Sequence, residues 1–482
     1  VILGGALLVS YAYFYQGGGW GQNTRLDLIR ALVERGTVFI DDFVANTGDF
    51  SCANGHELAD KAPGASFAAA PAFAVVRAAM VARGQNPDTP ASIHRLAYAA
   101  TIAAAAVPAA MTGVCVFLAA LLLGGDKTSA TVAALAVGIA SPLLTYATIL
   151  WGQALAAAGL SFSFVMALAV ARDGSSRWWN FAAGLACGLG AGWAVLSDYT
   201  AAIPAVVLAA FAIWRVRQSA TARVPAVLGV ALGGGLALLV LLAYNQAAFG
   251  SALAISYTFQ DGYVEMKQGF FGIGRPHAHV LYELLFGEWR GLLPLAPAFV
   301  LTPIGLWQLW RRGPDEAAAA LVLATITVYY FVLISGYVYW DGGWAYGPRY
   351  IGPALGLMAI PLSTVWSHGR FLGCVLALVL IGAANAIACV SVTGQPSYDE
   401  PHPMRALVWP HFVAGELSLN WQTELAFREP KGAFSELDEQ GLPRTAFNLG
   451  QLARLPGLWS LAPLGALWLA VTAWWTRRSF TE

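Results

Sequence analysis

The stretch ELADKAPGASFAAAPAF, residues 57–73, passes from charged to apolar within a few positions. Asp60 and Lys61 stand side by side, Pro63 and Gly64 make a turn, and an alanine-rich apolar run follows to Phe73. A carboxylate and an ammonium at the mouth of such a run belong where water gives way to hydrocarbon. The rest of the chain fits that solvent. Of 482 residues, 58% are hydrophobic and 11% are charged, against roughly 25% charged in soluble domains. Formal charge is zero, 27 basic groups against 27 acidic, so a nucleic-acid partner has no electrostatic basis.

Apolar runs near the ~20 residues that cross about 30 Å of hydrocarbon recur along the chain. They stand at 1–15, 64–83, 93–124, 128–149, 153–171, 178–197, 199–214, 224–247, 291–310, 316–339, 350–367, 371–392 and 456–475. The first opens at Val1 without a small-residue cleavage site and reads as a span, not a signal peptide. Short basic turns separate many runs: Arg172 to Arg177, Arg215 to Arg223, Arg311 with Arg312, Arg370, and Arg477 with Arg478. Turns rich in Lys and Arg stay cytoplasmic, which puts the connections 248–290, 340–349 and 393–455 outside. An odd number of full spans would strand the loop 16–63 on the opposite face. About twelve spans are therefore expected, with one irregular segment: either 64–83, which holds Pro71 and Arg77, or the neighbours meeting at Ser197-Asp198-Tyr199. The expected fold class is all-α and polytopic. A transmembrane module covers 1–392, an external polar segment 393–455, and a final helix with cytoplasmic tail 456–482.

The five cysteines form no zinc-like spacing, and four lie inside apolar runs as small hydrophobes. Ionisable groups collect in the loop 16–63. Within it Leu26, Ile29, Leu32 and Val33 recur at helical spacing, with Arg25, Arg30 and Glu34 between them, the pattern of an amphipathic helix in the interface plane.

Lys61 at a Pro-Gly mouth is poorly solvated and suits a lipid phosphate, or it snorkels to the headgroups. Arg349 in WDGGWAYGPRY (340–350) is a fork of donors suited to phosphate. Trp344 and Tyr346 offer flat faces beside it, and three glycines let backbone come close to a ligand; an interfacial aromatic belt is the other reading. Asp41, Asp42 and Asp49 offer a general base, oxygen ligands for a divalent cation, or simply a solvated loop. Asp198 is either a buried functional carboxylate or a helix cap. No Walker A, GxGxxG, HExxH or GxSxG motif appears.

The pieces QNTRLDLIRALVERG (22–36), IDDF (40–43), TGD (47–49) and ADKAPG (59–64) together resemble the GT-C membrane glycosyltransferases, in the branch of aminoarabinose transferase and the protein O-mannosyltransferases. YNQAAFGS (244–251) and GGWAYGPRY (342–350) resemble bacterial GT-C-like proteins. The resemblance implies inverting hexosyl or pentosyl transfer from a polyprenyl-phosphate-linked sugar to an external acceptor, at the bacterial inner membrane and in contact with its lipids. It implies a phosphate-contacting role for Lys61, with Asp60, Arg349, Trp344 and Tyr346 lining the substrate. The family's aspartate aligns with Gln22 or Asn23, neither a base. The catalytic carboxylate is then expected at Asp41, which follows the apolar Val38-Phe39-Ile40, or at Asp49. Cofactors stay unknown, a divalent cation being the one left open. A non-catalytic GT-C-like subunit or a secondary transporter are the alternatives.

Overall fold

The computed structural model describes residues 1–171, 175–260, 262–365, 372–419 and 446–479. Arg172, Arg370 and residues 420–445 of the polar segment lie outside the described residues. Among those described, seven helices are long and apolar enough to cross a membrane: Gly64–Ala82, Pro90–Leu122, Arg177–Ser197, Thr221–Phe249, Pro314–Ser335, Gly373–Val392 and Gly457–Trp475. Shorter apolar helices, Ile2–Ala12, Gln153–Ala169 and Tyr199–Arg215, accompany them. The only sheets among the described residues are two short antiparallel ribbons. The chain is a predominantly helical, all-α-class integral membrane protein.

The irregular segments are mostly not the suspected ones. The run 64–83 is one unbroken helix with Pro71 inside it. Breaks fall instead where prolines remove a donor and crowd the preceding turn. The run 128–149 splits into Lys127–Gly138 and the single turn Leu143–Tyr146, on either side of Ser141-Pro142. The run 291–310 becomes Leu292–Leu295, Pro297–Leu301 and Thr302–Trp310. The run 350–367 starts as a 3-10 helix, Arg349–Ala354, with Pro353 inside. The suspected break at Asp198 does occur. Its carboxylate accepts from the Thr200 amide at 3.0 Å and the Thr200 hydroxyl at 2.7 Å, so Asp198 is a cap.

Where hydrocarbon supplies no drive for helices to associate, small residues hold them by letting backbones approach. Helices Arg177–Ser197 and Ala220–Phe249 meet this way: a Cβ at Gly184, Gly188, Gly229 or Gly233 would collide with a carbonyl oxygen of the opposing helix. This seam leaves the ends of the bundle to be joined by loops.

At one end the long connections meet. Strand Phe14–Gln16 pairs with Ala446–Asn448, and Gln395 donates to the Gly18 carbonyl at 3.4 Å. The hairpin of Phe50–Ala53 and His56–Ala59 is tied to the segment after Phe249. There Ser51 donates to the Ser256 carbonyl at 2.9 Å, and Ser256 to the Asp60 carbonyl at 2.6 Å. At the other end Arg215 pairs with Asp315 at 2.7 Å and Arg312 donates to the Leu123 carbonyl at 2.8 Å.

The helix Trp20–Arg30 forms as its periodicity requires, but it does not lie in an interface. Residues Gln22 to Ala31 are buried all round. Leu26 and Ile29 pack on Phe73, Leu96 and Leu150 of the bundle, while Leu28 and Ala31 pack under Ile40, Leu58 and Tyr244. Its charged residues therefore face protein, not headgroups. That inversion brings Arg25 into the site described next.

Sidedness can be read chemically. Cys52 and Cys374 are exposed, and the other three thiols are buried. With Cys374 changed to Ser, a membrane-impermeant maleimide is expected to label Cys52 on intact spheroplasts. A cysteine at the exposed Thr128, at the other end of the bundle, is expected to react only after permeabilisation. Equal labelling of both before permeabilisation would overturn the assignment.

Candidate active site

Hairpin register builds the centre of the site. Phe50 pairs with Ala59, so the preceding Asp49 and the following Asp60 leave the ribbon opposite each other. Lys61 comes next in the chain, before the helix Gly64–Ala82. Its Nζ lies 2.7 Å from Asp60 Oδ2 and 3.0 Å from Asp49 Oδ2. Both carboxylates and the lysine are largely buried, the lysine side chain keeping 18% of its exposure. Asp49 Oδ1 accepts from the Tyr263 hydroxyl at 2.7 Å.

Two arginines complete the cluster. Gly21, the second residue of the helix Trp20–Arg30, has no side chain, and a Cβ there would lie 3.4 Å from Asp49 Oδ2, 3.7 Å from Arg25 Nη1 and 3.8 Å from Trp151 Nε1. Arg25 also donates to the Gly21 carbonyl. Arg349 lies over the faces of Trp151, at 4.8 Å, and Tyr350, at 4.9 Å, and donates to the Tyr350 hydroxyl at 3.0 Å. Its stem rests on Gly342, where φ is +75° and a Cβ would meet Arg349 Cγ at 3.0 Å. The charge of Arg349 reaches both Asp49 and Arg25.

Within the cluster three buried polar atoms have no hydrogen-bond partner among the described residues: Asp60 Oδ1, Arg25 Nε and Arg349 Nε. Leaving such groups unpaired costs about 1–3 kcal/mol each. Three cations around two carboxylates, with donors unspent, suit a ligand that carries anionic oxygens.

The titrations differ within the cluster. Burial would raise Asp49, but Lys61 and the Tyr263 hydroxyl outweigh it and hold the carboxyl below its ordinary value. Burial pushes Asp60 up to about 6; Lys61 opposes the rise and the charge of Asp49 adds to it. Burial works against the charge of Lys61, yet the two aspartates together raise it above an ordinary lysine.

Other expected residues lie apart. Asp41 is 42% exposed, bonded to His56 Nδ1 at 3.0 Å and the Glu57 amide at 2.7 Å, and none of these contacts leads to Lys61. The apolar Val38-Phe39-Ile40 does pack, but the turn after it aims Asp41 outward toward the hairpin tip. Asp42 pairs with Arg35 at the surface. The Tyr346 ring is in the core with Leu295, Cys389 and Val408, and Trp344 meets Tyr398 edge-on at 6.2 Å. Gln22 is structural: it donates to the Gly18 carbonyl and accepts from the Leu150 amide at 3.2 Å. Asn23 donates to the Asn46 carbonyl at 2.8 Å.

Arg25, Trp151 and Tyr263 are the members that sequence reading passed over. The signal for Arg25 was present, since it anchors the 22–36 piece; Trp151 and Tyr263 sit in segments without any motif. The described residues hold no group of three His, Cys, Asp or Glu placed for a metal ion. The lysine ammonium already stands between the two carboxylates, so the arrangement does not fit a divalent cation.

No family model and no curated protein matches the sequence. Among solved structures, the oligosaccharyltransferase of Archaeoglobus fulgidus in complex with Zn and sulfate aligns with TM-score 0.54 and 14% identity, over 89% of this chain and 59% of that one. Over the aligned residues the chain shares the fold of that oligosaccharyltransferase. ArnT from Cupriavidus metallidurans bound to undecaprenyl phosphate aligns with TM-score 0.47 and 17% identity, over 79% and 61% of the two chains. The chain spans about three fifths of the length of these two structures' chains.

Two glycines separate backbone strain from the Arg349 contact. Gly342 and Gly343 both have positive φ, but a Cβ at Gly343 would meet nothing within 4 Å. Each alanine variant is expected to lose about 1–2 kcal/mol for the left-handed backbone. Only Gly342→Ala is expected to weaken phosphate binding as well, read by titration in detergent. Equal binding by the two would remove any role for the seat under Arg349.

Proposed function

We propose that this protein transfers a sugar from a polyprenyl-phosphate carrier to an acceptor at the external face of the bacterial inner membrane. One observation carries the reading: Lys61 is held between Asp49 and Asp60, with Arg25 beside Asp49 and Arg349 within reach of its charge. The resemblance of residues 22–64 to GT-C transferases supplies the donor class, and the cluster supplies the chemistry.

In this reading Asp49 is the general base. Its carboxylate lies against Gly21, one residue before Gln22, and so offers an acid function beside the position where the resemblance expects one. It takes the acceptor's proton as the acceptor oxygen or nitrogen attacks the anomeric carbon. The bond from that carbon to the phosphate oxygen breaks, and the electron pair leaves with the phosphate. Lys61, Arg25 and Arg349 hold that growing charge, as fixed donors do best in a site poor in water. Donor binding also prepares the base. A phosphate that draws the ammonium toward itself takes a counter-charge away from Asp49, and the carboxylate becomes more basic. A non-catalytic subunit of this fold would have no use for that coupling.

Asp49→Asn is expected to lower transfer by roughly 10²–10⁴-fold, the usual worth of a positioned base, with donor binding retained. Asp41→Asn is expected to stay near wild type. The reverse ranking, measured by radiolabelled sugar transfer, would move the base to Asp41. Equal, full activity in both variants would sink the transferase reading.

Asp60 gives a pH signature. Its folded pKa of about 6 means that it gains a proton as pH falls from 7 to 5, which removes one negative charge beside Lys61. Affinity for a polyprenyl phosphodiester, whose single charge is constant over that range, is expected to rise on acidification by up to about tenfold. Asp60→Asn is expected to flatten the profile. A wild-type affinity independent of pH would contradict this.

A further inference from the structure

We propose that Arg290 is a positioning residue that aims Arg349 at the anion site, acting through the backbone of the loop between them. Arg290 is fully buried and heads the large side chains that are wholly enclosed. Its guanidinium meets no carboxylate within ion-pair distance among the described residues. One arm donates to the Ala345 carbonyl and the other to the Gly343 carbonyl, the latter at 2.6 Å. The group lies over the Trp289 ring at 4.7 Å, and Trp289 in turn meets Trp340 edge-on at 5.5 Å. The loop is thereby gripped at its start by an indole and in its middle by a fork.

Gly342, Gly343 and Gly347 all have positive φ, so this loop has unusually little backbone stiffness of its own. It needs an outside clamp to hold one shape. Asp341 supplies a small part, accepting from the Gly343 amide at 2.8 Å. Arg290 supplies the long-range part, since it joins this loop to the segment before the helix Leu292–Leu295. The stem of Arg349 rests on Gly342, next to the Gly343 carbonyl that Arg290 holds. A planar fork can bond two carbonyls at once, which a lysine ammonium on a flexible stem does poorly. A buried arginine placed here without a carboxylate pair is expensive; fixing the direction of a functional arginine gives it a use. The consequence for phosphate binding rests on the proposed function, whereas the positioning itself does not.

The experiment uses the full-length protein in detergent, with Arg290→Lys as the variant. The first readout is the rate at which phenylglyoxal modifies Arg349, followed by mass spectrometry of its peptide. Arg290→Lys is expected to raise that rate at least fivefold, because Arg349 no longer stays packed on Trp151 and Tyr350. A rate within twofold of wild type overturns the proposal. The second readout is undecaprenyl phosphate affinity in a double-mutant cycle. Arg290→Lys is expected to weaken binding about tenfold alone and by less than twofold in an Arg349→Gln background, where there is no aim left to lose. Equal losses in both backgrounds mean a merely structural role and overturn it. If Arg290→Lys does not purify as a folded protein, Trp289→Leu removes the stacked ring with Arg290 in place. It must then shift the Arg349 rate in the same direction, and an unchanged rate refutes the positioning. A wild-type protein that binds no undecaprenyl phosphate refutes the proposed function alone, and the Arg349 reaction still decides the role of Arg290.

Discussion

One ammonium shared by two carboxylates organises this end of the molecule. Lys61 is held by Asp49 from one side of the hairpin and Asp60 from the other, so the ribbon, the loop before it and the helix after it are locked to a common point. A buried lysine without partners would lose its charge; here the pair keeps it charged. Removing either acid would leave the other components of the cluster badly compensated, the costly way to break a buried ion pair. The Tyr263 contact to Asp49 then draws the segment after Phe249 over the same point. Within that network Lys61 still keeps 18% of its side-chain exposure.

The fold was legible in its class but not in its joints. Hydropathy and length mark where the chain meets lipid, and the seven long helices lie at runs marked in the sequence. Continuity within a run is another matter. Pro71 is tolerated inside a helix, whereas the segments holding Pro142, Pro294 and Pro353 are broken or irregular. A proline can be read in sequence, but whether neighbours satisfy the carbonyl it orphans cannot. The helix Trp20–Arg30 shows the same limit in another form. Its spacing gives the helix correctly, yet amphipathic periodicity does not say whether the polar face meets water, headgroups or buried carboxylates.

For the candidate site, chain proximity was informative only where the chain itself makes the contact. Asp60 and Lys61 are adjacent residues, and a short hairpin returns Asp49 to them. Asp41 looked equally placed, because the apolar residues before it do pack, but one turn later its side chain points to the hairpin tip and His56. Tyr263, Trp151 and Arg290 come from segments that are distant in sequence and carry no motif. They become visible only through contacts that the fold makes. Aromatic richness near Arg349 was real, yet Trp151 and Tyr350 flank it in place of Trp344 and Tyr346.

Like-charge repulsion gives a reason for a neutral side chain at position 22. The cluster sets Lys61, Arg25 and Arg349 against Asp49 and Asp60, and the buried Asp198 carboxylate adds its charge on both arginines. An aspartate in place of Gln22, with Asp49 beside the neighbouring Gly21, would set two carboxylates close together. Like charges so placed favour a proton on one of them. With glutamine on the helix and Asp49 on the hairpin, one carboxylate stands there and stays ionised. The side chain at position 22 is also free to brace the backbone. Gln22 bonds the Gly18 carbonyl and the Leu150 amide, which fixes the start of the helix next to Trp151. That indole is the surface on which Arg349 rests. Glutamine at position 22 thereby supports the surface on which Arg349 is seated.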